Sequence, residues 1–136
     1  MDSYISRLIS AGHRVAICEQ VEDPAEAKGV VKRDVVRLIT PGTLTDQQLL
    51  DRRKGNFLAA AFAGGGKDDR QAGLAWVELS TGEFHITTDS EEHLLDELIR
   101  LAPAEVIFPE GSQFDAKDFR DSLRRLAGAA ATSRPP

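Results

Sequence analysis

The sequence predicts an α/β chain in two parts, an α+β remnant followed by a mixed sheet with helices packed on it. Three observations carry this. Its 136 residues, 41% hydrophobic and 29% charged, give a folded, non-membrane profile with room for one ordinary domain or parts of two. From Asn56 onward the apolar spacing runs strand, strand, strand, helix, strand, helix. Between the parts, Pro41-Gly42 and the charged stretch Asp51-Arg52-Arg53-Lys54-Gly55 break the pattern and place a boundary between about Pro41 and Gly55.

In the first part, Tyr4, Ile5, Leu8 and Ile9 make one apolar helix stripe, and Gly12 can close that helix in the left-handed conformation. Arg14 to Gln20, with β-branched Val15 and Ile17, predicts a strand. Asp23-Pro24-Ala25-Glu26 is a helix-start pattern: Asp23 can cap, Pro24 suits the first turn, and Glu26 can reach back to the cap. Gly29 keeps that helix short. Asp34 to Thr40 predicts a second strand, stopped by Pro41-Gly42, and Thr45 or Asp46 can cap a brief helix through Leu50.

In the second part, Asn56 to Ala63 is an apolar strand and Gly64 to Asp69 a flexible loop. Gly73 to Ser80 and Glu83 to Thr88 flank Thr81-Gly82 as a hairpin, with Trp76, Phe84 and Ile86 expected to be buried. Ser90 can cap a helix whose first turn carries Glu91 and Glu92, where the macrodipole favours anions, and Pro103 ends it. Glu105 to Phe108 predicts a strand, and Ala116 to Leu126 a last helix. The tail from Ala127 to Pro136, rich in Ala, Gly, Pro and Ser, is expected to fray. A meander followed by helix-strand-helix is the order of a ribonuclease-H-like core.

Net charge is -5, with a pI near 5.2. A free-standing nucleic-acid-binding domain is usually basic, so any DNA contact must sit in a local patch. One candidate stands out: Lys28, Lys32, Arg33 and Arg37 against Asp34 leave +3 over residues 28–37. Such a cluster can contact phosphates without reading sequence, and the alternative is a solvated charged turn. The single cysteine, Cys18, excludes an internal disulfide, fits a reducing cytosol, and is expected to be a small buried hydrophobe. Met1 to Ser10 lacks a signal-peptide pattern, and the longest apolar run, Phe57 to Ala63, is far too short for a membrane span. The expectation is a cytoplasmic protein with no membrane partner.

Catalytic patterns fail one by one. Gly64-Gly65-Gly66-Lys67 lacks the earlier glycine and the following Ser or Thr of a phosphate-binding loop, having Ala61 and Asp68 there. His13, His85 and His93 have no partner at metal-ligand spacing. Nucleases of the ribonuclease-H-like fold resemble one another in an Asp on the first strand that binds a divalent metal. The strand Asn56 to Phe62 holds no acid, and Glu78 on the next stands alone. No catalytic residue, cofactor or metal is therefore expected, and a diverged nuclease is the disfavoured alternative.

The run from Val15 through Gln20, Asp23-Pro24-Ala25-Glu26 and Gly29 to Leu38-Ile39-Thr40-Pro41-Gly42-Thr43 is long and specific, and it resembles the MutS family. Asn56-Phe57-Leu58-Ala59-Ala60, Leu79-Ser80-Thr81-Gly82-Glu83-Phe84 and Pro103-Ala104-Glu105 resemble that family's connector domain. The resemblance implies residues 1–43 as the C-terminal part of mismatch-binding domain I and 44–55 as linker. It implies residues 56–136 as connector domain II, C-terminally incomplete. The family wedges a Phe of a Phe-x-Glu motif into mismatched duplex, which unstacks a base step. No Phe-x-Glu occurs in the first 40 residues, and the family's ATPase domain lies downstream of the matching region. Mismatch sensing and ATP hydrolysis, with their ATP and Mg, are thus expected outside this chain. What carries over is a backbone-phosphate contact at Arg33, with Lys32 and Lys28 beside it. The connector's role also carries over: it couples mismatch binding to the ATPase and offers surface to MutL. The family's partners are mismatched double-stranded DNA, MutL and a second MutS subunit. An inert fragment of a partial reading frame is the other alternative.

Overall fold

In the computed structural model, which describes residues 2–27, 29–45, 55–64 and 70–135, the chain divides into two units, Met1–Thr40 and Pro41–Pro136. The first unit begins with helix α1 (Asp2–Ser10). Ile5 and Ile9 are buried while Tyr4 and Leu8 are exposed, so the covered stripe is narrower than the sequence suggests. Gly12, at φ 82°, closes the helix: its N–H donates to Ile9 O, and the His13 N–H to Leu8 O. Strands β1 (Val15–Gln20) and β2 (Arg33–Ile39) pair antiparallel, from Val15 opposite Ile39 to Gln20 opposite Arg33. A bulge falls between Ile17 and Cys18. Cys18 is exposed, which corrects the expectation of burial: among the described residues no element covers it on this two-stranded ribbon. The helix expected after Asp23 is a single turn. Asp23 does cap it, accepting the Ala25 N–H at 2.9 Å, but no apolar periodicity before Gly29 extends it.

The second unit opens with a 3₁₀ turn at Pro41–Thr43, followed by β3 (Phe57–Ala63), β4 (Gln71–Glu78) and β5 (Glu83–Ser90). Helix α2 (Glu91–Leu101), β6 (Glu105–Pro109), α3 (Lys117–Ser122) and β7 (Ala130–Arg134) complete it. The brief helix expected through Leu50 and the loop from Gly65 to Asp69 lie outside the described residues. The sheet runs β5-β4-β3-β6-β7, with β3–β4 and β4–β5 antiparallel and β3–β6 and β6–β7 parallel. This arrangement, an antiparallel meander extended by two parallel strands, is an α/β fold of the ribonuclease-H-like order. The core lies on one face, where Ala59, Ala61, Leu74, Val106 and Phe108 meet Leu94 and Leu98 of α2 and Leu123 just beyond α3. The small alanines of β3 let the helices approach the central strand closely.

Four local expectations are corrected. The tail is not frayed: Ala130–Arg134 is the edge strand β7, paired residue for residue with β6 from Glu105↔Ala130 to Pro109↔Arg134. Long-range pairing here overrides the weak strand propensity of alanine. Phe84 and Ile86 are 63% and 74% exposed, because β5 is the other edge and they lie on the face away from the helices. Trp76 is half-buried on the helix face, its ring stacked on His85 at 5.2 Å. The hairpin loop is the four residues Leu79 to Gly82, not a two-residue turn. The Glu78 carboxylate organises it by accepting from the Ser80 hydroxyl and the Thr81 N–H, which hold that carboxyl below its ordinary pKa. Ser90 precedes α2, but its hydroxyl makes no capping bond, since β5 runs directly into the helix and Asp89 takes the Ser90 N–H.

Candidate nucleic-acid interface

Strand parity sorts the charges of β2. Cross-strand partners share a face, and the bulge, which leaves Val36 as an extra residue, breaks the alternation: Arg33 and Val35 lie with Gln20 and Cys18 on one face, while Asp34, opposite Glu19, and Arg37, opposite Ile17, lie on the other. Arg33 opens the strand opposite Gln20, and Arg37 sits opposite Ile17. Four residues of strand separate them by roughly 13 Å. Glu19, the acid across the ribbon, is directly opposite Asp34.

Lys32 immediately precedes the strand and is exposed. Its backbone fixes the lead-in: its carbonyl accepts the Val21 N–H at 3.1 Å, and its own N–H donates to the Glu22 carboxylate at 3.0 Å. The Asp34 carboxylate likewise bonds backbone, accepting the Val35 N–H at 2.8 Å. Two nearby acids therefore spend oxygens on the main chain. Among the described residues, none of Lys32, Arg33 and Arg37 enters an ion pair. Lys28 lies outside the described residues.

The ribbon puts Arg37 on the face opposite Arg33, against the period-two alternation of the sequence, because the bulge adds a residue between them. The sequence carries no signal of that bulge. An exposed guanidinium such as that of Arg33, with no ion pair among the described residues, can bind phosphate oxygens through one or two parallel hydrogen bonds. It offers no acid or base positioned for bond cleavage. Among the described residues no group of three His, Cys, Asp or Glu side chains could hold a metal ion. His85 lies 2.7 Å from Glu83 and His93 3.2 Å from Asp89, two exposed pairs, the first within β5 and the second between β5 and α2. No helix among the described residues is long and apolar enough to cross a membrane.

Comparison with known proteins places these features in a family. Residues 1–48 match MutS domain I and residues 56–132 match MutS domain II. A DNA mismatch repair protein MutS of Rhodopseudomonas palustris is 50% identical over 137 residues, covering 98% of this chain and 15% of that protein. The one of Acetivibrio thermocellus is 45% identical over 128 residues, covering 91% of this chain and 14% of that protein. The one of Methanothrix thermoacetophila is 46% identical over 121 residues, covering 89% and 14%. The chain therefore spans about a seventh of the length of these relatives. Among solved structures, a chain of a simian T-cell lymphotropic virus intasome in complex with PP2A regulatory subunit B56 gamma aligns at a TM-score of 0.42. Its identity is 14%, over 61% of this chain and 33% of that one, too loose a likeness to carry argument.

Proposed function

The chain belongs to the MutS family, and on that premise we propose that it serves DNA mismatch repair as the part of MutS joining the end of the mismatch-binding domain to the connector. In this reading Arg33, with Lys32 and Lys28, contacts the phosphate backbone of the duplex. The observation that carries it is exposed Arg33 at the start of β2, directly after exposed Lys32, with no ion pair among the described residues and with Asp34 turned to the other face. Backbone contacts hold a protein on DNA without reading bases, so discrimination of a mismatch belongs to other residues of the full-length protein. The connector passes the state of the DNA-binding unit toward the ATPase and offers surface to MutL. ATP with Mg, and the second MutS subunit, bind elsewhere in the full-length protein. The compartment is the cytoplasm, where such a protein meets chromosomal DNA.

The test is one titration of this chain on a homoduplex and on a G·T heteroduplex at two salt concentrations, read by fluorescence anisotropy. The expected result is weak binding that falls with salt and does not distinguish the duplexes. A tenfold preference for the heteroduplex, about 1.4 kcal/mol, would place mismatch recognition within these residues and overturn the assignment.

A further inference from the structure

We infer that Glu22 is a positioning residue for the phosphate contact: its carboxylate holds the main chain at Lys32 and so sets how Lys32 and Arg33 are presented. The effect on DNA rests on the reading just proposed; the hold itself does not. Every group involved lies within the first unit.

The segment from Val21 to Lys32 joins β1 to β2. Its first part folds on its own bonds. The Asp23 carboxylate accepts the Ala25 N–H at 2.9 Å, and Asp23 O accepts the N–H groups of Glu26 and Ala27 at 3.0 and 3.1 Å. Its last part is looser: Gly29 and Val30 bend without forming a hydrogen-bonded turn, and Val30 is 100% exposed. A stretch with so few bonds has little local stability of its own. Order returns at Lys32, where both main-chain groups are engaged. The Lys32 carbonyl accepts the Val21 N–H at 3.1 Å, and the Lys32 N–H donates to Glu22 Oε2 at 3.0 Å. Both partners lie just past the end of β1, so the two ends of the connecting segment are tied together at its base. With Lys32 held on both sides, Arg33 enters β2 opposite Gln20 from a fixed backbone. A long cationic side chain on a fixed backbone gives up less freedom on meeting a phosphate than one on a frayed end.

Glu22 acts in two opposed ways. A charged acceptor holds an N–H more firmly than a neutral one. Its negative charge, however, opposes a phosphate nearby. The two effects separate by substitution. Glu22→Gln keeps an acceptor oxygen and removes the charge, whereas Glu22→Ala removes both. Glu22 is exposed and lies outside the strands, so neither change touches the buried residues.

The experiment measures amide exchange and homoduplex affinity on the full 136-residue chain, on its Glu22→Gln and Glu22→Ala variants, and on each of these with Arg33→Ala added. Exchange of the Lys32 amide should be about threefold faster or more in Glu22→Ala than in Glu22→Gln, while the paired amides of β1 and β2 stay unchanged. By fluorescence anisotropy at low salt, Glu22→Gln should bind at least as tightly as wild type. Glu22→Ala should bind roughly fivefold more weakly than Glu22→Gln, the worth of one ordinary hydrogen bond. Both variants lack the charge, so their ratio isolates the hold, and Glu22→Gln is the rescue. With Arg33→Ala added, that ratio should shrink to about twofold or less. Equal Lys32 exchange in the two Glu22 variants, or equal affinities while Arg33 is intact, overturns the inference. So does a ratio that survives Arg33→Ala, which would make Glu22 a general support of the ribbon. If Arg33→Ala alone leaves affinity unchanged, the phosphate reading fails and this role of Glu22 fails with it; the exchange rates, which involve no DNA, tell that failure apart from a missing hold.

Discussion

Arg33 illustrates how much a single position can say. Its charge, and the excess of cations around it, are legible in the sequence; whether a neighbouring carboxylate neutralises it is not, because that depends on which way each side chain leaves the strand. The ribbon answers this, with Asp34 on the opposite face and bonded to the Val35 N–H. A phosphate contact adds affinity without reading bases. In the full-length protein Arg33→Ala should therefore weaken homoduplex and heteroduplex binding by a similar factor. It should also reduce the slope of log K against log salt by roughly one unit. Equilibrium titrations over a salt series measure both quantities. Unchanged affinity and slope would reduce the cluster to a solvated surface and move the phosphate contact elsewhere. Lys28 belongs to the same proposal but lies outside the described residues; Arg33 and Lys32 are the described members of the cluster that carry it.

Among the elements, α2 and the β4–β5 hairpin are legible because local spacing determines them: Leu94 and Leu98 fall on one helix face, and both are buried. Strand β7 is not legible. Ala130-Ala131-Thr132-Ser133 has no apolar bulk, and its partner strand β6 lies more than twenty residues earlier in the chain. Phe84 and Ile86 expose a related limit. Alternation shows that they share a face, but which face the helices cover depends on the order of the strands. Side-chain links do for β7 what hydrophobic bulk does elsewhere. Arg120 of α3 donates to the Asp115 carboxylate and to the Ser133 hydroxyl of β7, at 2.9 Å for the latter. The Gly111 N–H first, and Arg120 second, hold the Asp115 carboxyl below its ordinary pKa. A depressed pKa means stability that is present above the unfolded-state value and is lost as pH falls through the folded value. The contribution should thus be full at pH 7 and fade below about 4, the ordinary aspartate range. Asp115→Asn should lower the thermal midpoint at pH 7, and the gap from wild type should narrow as pH drops below that range. A gap constant from pH 7 to pH 3 would show that the charge of Asp115 contributes nothing.

For the molecule as a whole, the question the fold raises is nuclease chemistry, since a ribonuclease-H-like sheet is a scaffold on which a metal-dependent active site can be built, and scaffold alone does not decide function. Two-metal phosphodiester cleavage needs carboxylates converging on one point, with the ions about 4 Å apart. Strand β3 contributes none, as its seven residues are Phe, Leu, Ala and Phe types only. The sheet does hold two buried acids, Glu78 and Glu105, which the sequence alone would leave as possible partners. Register separates them. Glu78 pairs with Phe57 and Glu105 with Leu58, adjacent residues of one strand, so the two carboxylates lie on opposite faces of the sheet. Each also has its oxygens engaged: Glu78 organises the hairpin loop, and Glu105 holds Gly42 and Thr132. Neither can join the other at a metal without dismantling the structure it supports. The purified chain, incubated with supercoiled plasmid and Mg²⁺ or Mn²⁺, should therefore leave the plasmid intact. Glu78→Gln and Glu105→Gln should leave that result unchanged. Nicking that co-purifies with the chain and disappears in either variant would show that one of these acids serves a reaction centre, and that the sheet has kept chemistry its first strand gives no sign of.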